Sequence, residues 1–456
     1  MPAWRWRPRR PPATTPRRAP PTSPRRSAGR WGRREPSFNR GSSGDRSVSQ
    51  FRHTHPAEAL LTPEAVRGRS MELYAAALDG RLPGWRLHPE ALADCAAMVA
   101  AEVRDRYPDL RVPFHARWRH FAVGGIDRWA ALRALAAFPT PASEARAACD
   151  LAIVSVLLDA GAGMGWRYTE AGTGAVLARS EGLAVASLSI FARGGFAEDG
   201  VSPRADASRL ARITAAELAE GFQAGEANPL VGLEGRAALL RRLGETVLAA
   251  PAVFGRADAP RPGGIFDLLA AGGELPARAI LIALLRHLGP IWPGRELLEG
   301  VPLGDCWRHP GIRRTDPTSG LIPFHKLSQW LAYSLVEPLQ AAGVVVVGLD
   351  ALTGLAEYRN GGLFLDAGVI ALADPEDASR EHLPGAPLIV GWRALTVALL
   401  DALAPLVREK LGVAAADFPL ARVLEGGSWW AGRRLAAERR ADGGPPLRVA
   451  SDGTLF

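Results

Sequence analysis

Alanine decides what this chain can become. Runs dominated by alanine and leucine recur from residue 63 to residue 411, and alanine carries the lowest intrinsic cost of any residue in a helix. Thr62-Pro63-Glu64 opens a helix over about 63–79 that Gly80 ends, and His88-Pro89-Glu90 opens a second that stops before Pro108. Further helices are expected over about 127–137, 141–160, 214–222, 234–250, 264–271, 276–288, 324–342 and 386–411. Strand-like material is confined to 167–169, 175–178, 344–347 and 363–372. The balance predicts a mainly α protein with a minor β component, without evident internal repeats.

The N-terminal stretch breaks this pattern. Residues 1–52 carry 14 arginines against Glu35 and Asp45, a net +12 among prolines and serines, so they cannot bury enough apolar surface to offset their ordering entropy. Residues 1–55 are therefore expected to be a disordered basic tail. Since the whole chain is formally +8, the remainder is mildly acidic, near −4, and nucleic acid is not an expected partner of the folded part. The tail itself fits an upstream start in an Arg/Pro-biased coding region, nonspecific binding to RNA or an acidic surface through Trp4, Trp6 and the arginines, or a transit peptide. It has no apolar segment of the secretory kind. Residues 56–456 form the expected catalytic region, divisible at about 310 into 56–310 and 311–456. Cys95, Cys149 and Cys306 are too scattered for a disulfide framework, which points to a reducing cytoplasm. The longest apolar runs, near 151–158 and 342–349, are too short to cross a bilayer.

Four segments dense in polar and aromatic residues interrupt the alanine filler, at 113–128, 304–330, 352–366 and 425–434. The second holds one of only two lysines, Lys326 and Lys410, among 55 basic residues. A chain that uses arginine almost everywhere keeps lysine where a compact ammonium of adjustable pKa is needed, or by chance, as Lys410 in an ordinary amphipathic helix illustrates. With Pro323 placed where helices like to begin, 324–341 is expected to be one helix ended by Gly343. Lys326, Gln329, Trp330, Tyr333 and Glu337 then share an arc of about 100°, opposite Phe324, Leu327, Leu331, Leu335 and Leu339. That face resembles the wall of a polar pocket; the competing reading is an interface whose aromatics only pack.

In the third segment, Glu357, Tyr358 and Arg359 offer a carboxylate, a phenol and a guanidinium, followed by Gly361-Gly362, which permits a tight turn or a close backbone approach. If Glu357 meets Lys326, the ammonium supports its charged form. Asp305-Cys306 with His309 and His325 is the one arrangement suggestive of a metal, but no second pair completes a tetrahedron, so no metal is expected. No Ser-His-Asp pattern, P-loop or dinucleotide fingerprint occurs, and no cofactor is expected.

The segments PFHKLSQWLAYSLVEPL, LTGLAEYRNGGLFLD, FHARWRHFAVGGIDR, EGGSWWAGRR and the terminal GGPPLRVASDGTLF resemble the uracil-catabolism family of the URC/URG pathway, over about 60–456. In that pathway uracil becomes a ribotide, its ring is opened by a relative of GTP cyclohydrolase II, and urea is released. The paired motifs Phe-His-Lys-x-x-Gln and Leu-Thr-x-x-x-Glu-Tyr-Arg are also similar to those of queuosine 5′-phosphate N-glycosylases, helical enzymes with a DNA-glycosylase-like scaffold. That second resemblance implies such a core here and active-site roles for Lys326 and Glu357, with glutamate standing where those enzymes have aspartate.

Together the resemblances imply hydrolysis of the N-glycosidic bond of a ribosylurea 5′-phosphate, giving urea and ribose 5-phosphate. Glu357 would stabilise positive charge at C1′ and activate water, while Lys326 would hold Glu357 ionised or contact the departing urea. Gln329 and Tyr333 would hydrogen-bond urea or ribose hydroxyls, with Tyr358 beside them and Asp316 and Asp366 as reserve carboxylates. Arg117, Arg119 and Arg359 are the phosphate candidates, the first two preferred. The alternatives are an amidohydrolase acting on a ureido intermediate and a noncatalytic nucleotide-binding or assembly partner. Oligomeric state is left open.

Overall fold

The computed structural model describes residues 55–159, 161–255, 259–292 and 296–450. Apart from His55, the expected basic tail lies outside the described residues.

Ten helices carry the architecture: α1 (Pro63–Leu78), α2 (Leu92–Arg106), α3 (Pro141–Leu157), α4 (Arg179–Ala192), α5 (Leu233–Ala249), α6 (Ala277–Leu288), α7 (Lys326–Ala341), α8 (Tyr358–Asp366), α9 (Pro387–Leu411) and α10 (Trp429–Arg439). Their starts follow local chemistry. Thr62 Oγ1 accepts from Ala65 N at 3.1 Å ahead of Pro63, and Thr140 and Ser143 form a reciprocal capping box at the head of α3. The β content is small. Among the described residues every ladder has two strands, including β1 (Trp85–Leu87), β2 (Glu274–Pro276), β3 (Cys306–Arg308), β4 (Leu321–Pro323), β5 (Val345–Val347) and β6 (Ile370–Leu372). β1 pairs antiparallel with β6, β2 parallel with β5, and β3 antiparallel with β4. The fold is mainly α with a minor β component, as its alanine content demands.

α9 is the centre of the core. At 25 residues it is long and apolar enough to cross a bilayer, yet α1, α2 and α8 cover its sides and most of it is buried. Each such buried Leu or Val contributes about 1.5–3 kcal/mol. α8 comes close to two neighbours because glycine lets it. A Cβ on Gly361 would sit 2.8 Å from the Trp392 ring of α9, and one on Gly432 of α10 would sit 2.3 Å from the Arg359 carbonyl. The close approach anticipated for Gly361 is therefore made to a helix.

α7 runs between α3 and α6 and is buried on nearly all sides. Pro338 inside it cannot donate to the Ser334 carbonyl one turn back. Trp118 Nε1 donates to that carbonyl at 2.7 Å instead, so the interruption is satisfied by a side chain from the 113–128 segment.

Three local expectations need correction. Residues 363–372 are not one strand, because α8 occupies Tyr358–Asp366 and only Ile370–Leu372 pairs with β1. α4 was not anticipated. Pro323 ends β4 rather than opening a helix: Phe324 N and His325 N both bond the Asp305 carbonyl, at 2.9 and 3.3 Å, and His325 adopts a left-handed φ of 48°. α7 consequently begins at Lys326.

Candidate active site

The start of α7 is built by a residue far from it in sequence. Asp305 Oδ2 accepts from Lys326 N at 2.9 Å, filling the role of the helix cap that His325 leaves empty. Arg393 of α9 holds the same carboxylate through both oxygens, at 2.8 and 2.7 Å, and Trp307 Nε1 adds a third donor at 2.7 Å. Burial alone would raise the Asp305 carboxyl, but the Arg393 charge and these bonds hold it well below the usual carboxylate range. Asp305 thus anchors the lysine helix to α9. His309 is occupied locally, its Nδ1 accepting from Gly311 N at 3.0 Å.

Lys326 opens onto a cavity of about 270 Å³, and Glu357, 31 residues later in the chain, lies on the same wall. Glu357 caps α8: Oε1 accepts from Asn360 N at 2.6 Å and Oε2 from Arg359 N at 2.7 Å. Two backbone donors fix the plane of this buried carboxylate and leave its remaining lone pairs for the cavity. Lys326 makes no ion pair within 4.0 Å among the described residues. Burial lowers its pKa, and the charge of Glu357, followed by that of Asp159, opposes the shift. Such an ammonium is a readier proton donor than a solvated one.

Tyr358 and Arg359 share this wall. Arg359 donates to the Gly443 carbonyl at 2.8 Å and its guanidinium carbon lies 4.9 Å from the Tyr358 ring centre, so it ties the C-terminal segment to the head of α8. Gln329 and Tyr333 are elsewhere. Both are fully buried against Thr353: Gln329 Nε2 donates to Thr353 Oγ1, Thr353 N donates to Gln329 Oε1 at 3.2 Å, and the Tyr333 hydroxyl donates to the Thr353 carbonyl at 3.0 Å. They lock the loop that leads to Glu357 onto α7. The two motifs meet because these side chains join them.

The remaining candidates have other partners. Arg117 is fully buried and bonds Ser155 Oγ and Asp159 Oδ1, each at 2.8 Å. It stands behind the cavity, whose wall includes Asp159. Arg119 pairs with Glu337 at 2.5 Å. Asp316 is exposed and caps Thr318 N at 2.7 Å, and Asp366 is paired with Arg440 at 2.6 Å. None of these four lines the cavity.

Residues 59–456 match the family described as "Protein of unknown function (DUF1688)". The chain belongs to this family. It is similar to Protein urg3 of Schizosaccharomyces pombe, 36% identical over 419 residues that cover 88% of this chain and 100% of that protein. It is likewise similar to Uracil catabolism protein 4 of Lachancea kluyveri, 38% identical over 440 residues covering 88% and 99% respectively. Every residue named here on the cavity wall falls inside the DUF1688 match.

Within that match the wall also carries residues that the sequence reading passed over. His115 and His120 come from the same 113–128 segment as Arg117 and Arg119, but it is the histidines that reach the cavity. His115 Nδ1 lies 2.8 Å from Glu425 Oε2, which a π-helical turn over Leu424–Ser428 presents. Such turns recur at functional sites in helical proteins. Burial, reinforced by the Arg117 charge, pushes His120 down to about 3, so it is neutral at physiological pH. Trp429, Asp159 and Arg179 complete the relevant lining, beside Trp330, which helical periodicity places on the Lys326 face. The clustering of His and Trp in the two flanking segments was a usable signal for His115, His120 and Trp429; Asp159 and Arg179, in ordinary surroundings, gave none.

Proposed function

We propose that this protein acts in uracil catabolism, the process named for its L. kluyveri relative, by hydrolysing the N-glycosidic bond of a ribosylurea 5′-phosphate. The observation that carries the reading is the meeting of Lys326 and Glu357 on one small cavity wall. A volume of about 270 Å³ suits a small molecule rather than a polymer.

The step balances with these two groups alone. Water oxygen bonds to C1′ as the C1′–N bond breaks, and the bonding pair leaves with the urea nitrogen. Glu357 stabilises the positive charge developing at C1′ and accepts the proton from water. Lys326, its pKa lowered by burial, donates a proton to the departing nitrogen, and the proton on Glu357 restores it. Gln329 and Tyr333 act through Thr353 by positioning the Glu357 loop.

The test is incubation of the purified protein with synthetic ribosylurea 5′-phosphate and assay for urea and ribose 5-phosphate in equal amounts. Full release by Glu357→Gln or Lys326→Met would remove the assignment. An acyl product beside urea, with no free ribose phosphate, would move the protein to the amidohydrolases.

A further inference from the structure

The cavity holds a cation that the proposed chemistry does not use. Arg179 is the first residue of α4 and lines the wall, yet among the described residues its side chain makes no hydrogen bond or ion pair. Its charge acts on the Tyr358 hydroxyl together with the charges of Arg359 and Glu357, which sets it within electrostatic reach of the head of α8. Among the described residues neither carboxylate of the wall, Glu357 or Asp159, pairs with it. Glu357 is held by two backbone N–H groups, and Asp159 by Arg117 and by Ser180 Oγ at 3.0 Å. Of the other arginines once favoured for phosphate, Arg117 and Arg119 have carboxylate partners and Arg359 spends a donor on Gly443.

A guanidinium facing a small cavity without a counter-ion asks for an anion, and its fork matches phosphate oxygens in pairs. α4 has no side-chain cap at its own start, so its first-turn N–H groups lack that partner. We infer that Arg179 is the subsite for the phosphate monoester of the substrate and makes the enzyme select ribose 5-phosphate derivatives over unphosphorylated ones. The inference rests on the reading of Lys326 and Glu357 as the reacting end of the same cavity.

Binding tests it separately from turnover. Isothermal titration of the full chain with ribose 5-phosphate and with ribose should give a preference for the phosphate of roughly 10- to 100-fold, the range for a lost charged hydrogen-bonding partner. Arg179→Gly should collapse that preference. Glycine suits the backbone there, since Arg179 holds a φ of 53°, and Arg179→Lys should restore part of it. In turnover, the ratio of kcat/KM for the phosphorylated over the unphosphorylated ribosylurea should fall with the binding ratio, through KM. Equal binding of the two sugars by the unaltered protein, or an undiminished preference in a folded Arg179→Gly or Arg179→Gln variant, would overturn the subsite. An Arg179-dependent preference without urea release would leave the subsite standing and sink the glycosidase reading.

Discussion

The two ends of α7 face two cavities whose charges are paired differently. At the N-terminal end Lys326 opens onto a wall of titratable groups and has no ion pair within 4.0 Å among the described residues. Three turns on, Glu337 borders a cavity of about 450 Å³ lined by Trp118, Trp129 and Phe138 together with Arg133 and Glu144, which pair with each other, and its own carboxylate is matched to Arg119 at 2.5 Å. An unmatched, half-buried ammonium costs stability and persists where a ligand needs it, whereas a matched pair at a rim is ordinary structure. One helical face therefore carries both kinds of charge, and only partners tell them apart.

The sharpest way to break this contrast is to neutralise each end. Lys326→Met should lower urea release about a thousandfold, near the upper range for removing one preorganised electrostatic group, without loss of folded protein. Glu337→Gln should keep release within about threefold. Equal losses in the steady-state assay would erase the distinction between the two ends.

The same contrast recurs two residues apart in the 113–128 segment. Arg117 is fully buried with Asp159, while Arg119 keeps about a quarter of its side chain exposed beside Glu337. Arg117→Met strands a buried carboxylate and should cost about 3 kcal/mol in denaturant titration. Arg119→Met should cost under about 1 kcal/mol. A smaller effect at Arg117 than at Arg119 would reverse the assignment of which arginine is structural.

Thr353 tests the joint between the motifs. Thr353→Val removes the hydroxyl that accepts from Gln329 and leaves a buried amide donor without that partner, at a cost of about 1–3 kcal/mol. Because the loop it holds leads to Glu357, kcat should fall with little change in KM. An unchanged kcat in a destabilised variant would limit Gln329 and Tyr333 to holding the fold.

How much of this was legible in the sequence depended on whether a residue's role is local. Lys326 and Glu357 stood out by rarity and motif, and helical periodicity placed Lys326 and Trp330 on one wall. The same periodicity could not separate Gln329 and Tyr333 from them, because the partner that claims those two, Thr353, comes from another segment. Arg117 and Arg119 drew attention over His115 and His120 by charge, whereas burial and the positions of Asp159 and Glu337 decide who faces the cavity. Asp305 was read with Cys306 and His309 as a ligand pattern. Its actual role, capping Lys326 while gripping Arg393, spans residues 305–393 and leaves no local trace. α4 lacks a side-chain cap at Ala178, so nothing announced its start or the place of Arg179 at its head.

The smallest expected effect separates the two ends of α7 by sign. Burial lowers Lys326, with Glu357, Asp159 and Asp305 opposing and Arg393 assisting. Unfolded lysine keeps its proton to about 10.5, so between the lowered folded value and that limit unfolding takes up a proton, and this residue's contribution to stability rises with pH. Burial raises Glu337, with Arg119 opposing and Glu425 assisting. Between about 4.5 and that raised value the folded state holds the extra proton, so the contribution of Glu337 falls as pH increases. Denaturant midpoints should therefore show the unaltered protein gaining on Lys326→Met towards alkaline pH and losing ground to Glu337→Gln from mildly acidic pH upward. Each difference should stay below the limit of about 1.4 kcal/mol per pH unit set by one proton, and the Glu337 change should be the smaller because about a third of its side chain meets solvent. Parallel slopes of one sign would mean that the two ends sit in like environments, and the unpaired state of Lys326 would then carry no functional meaning.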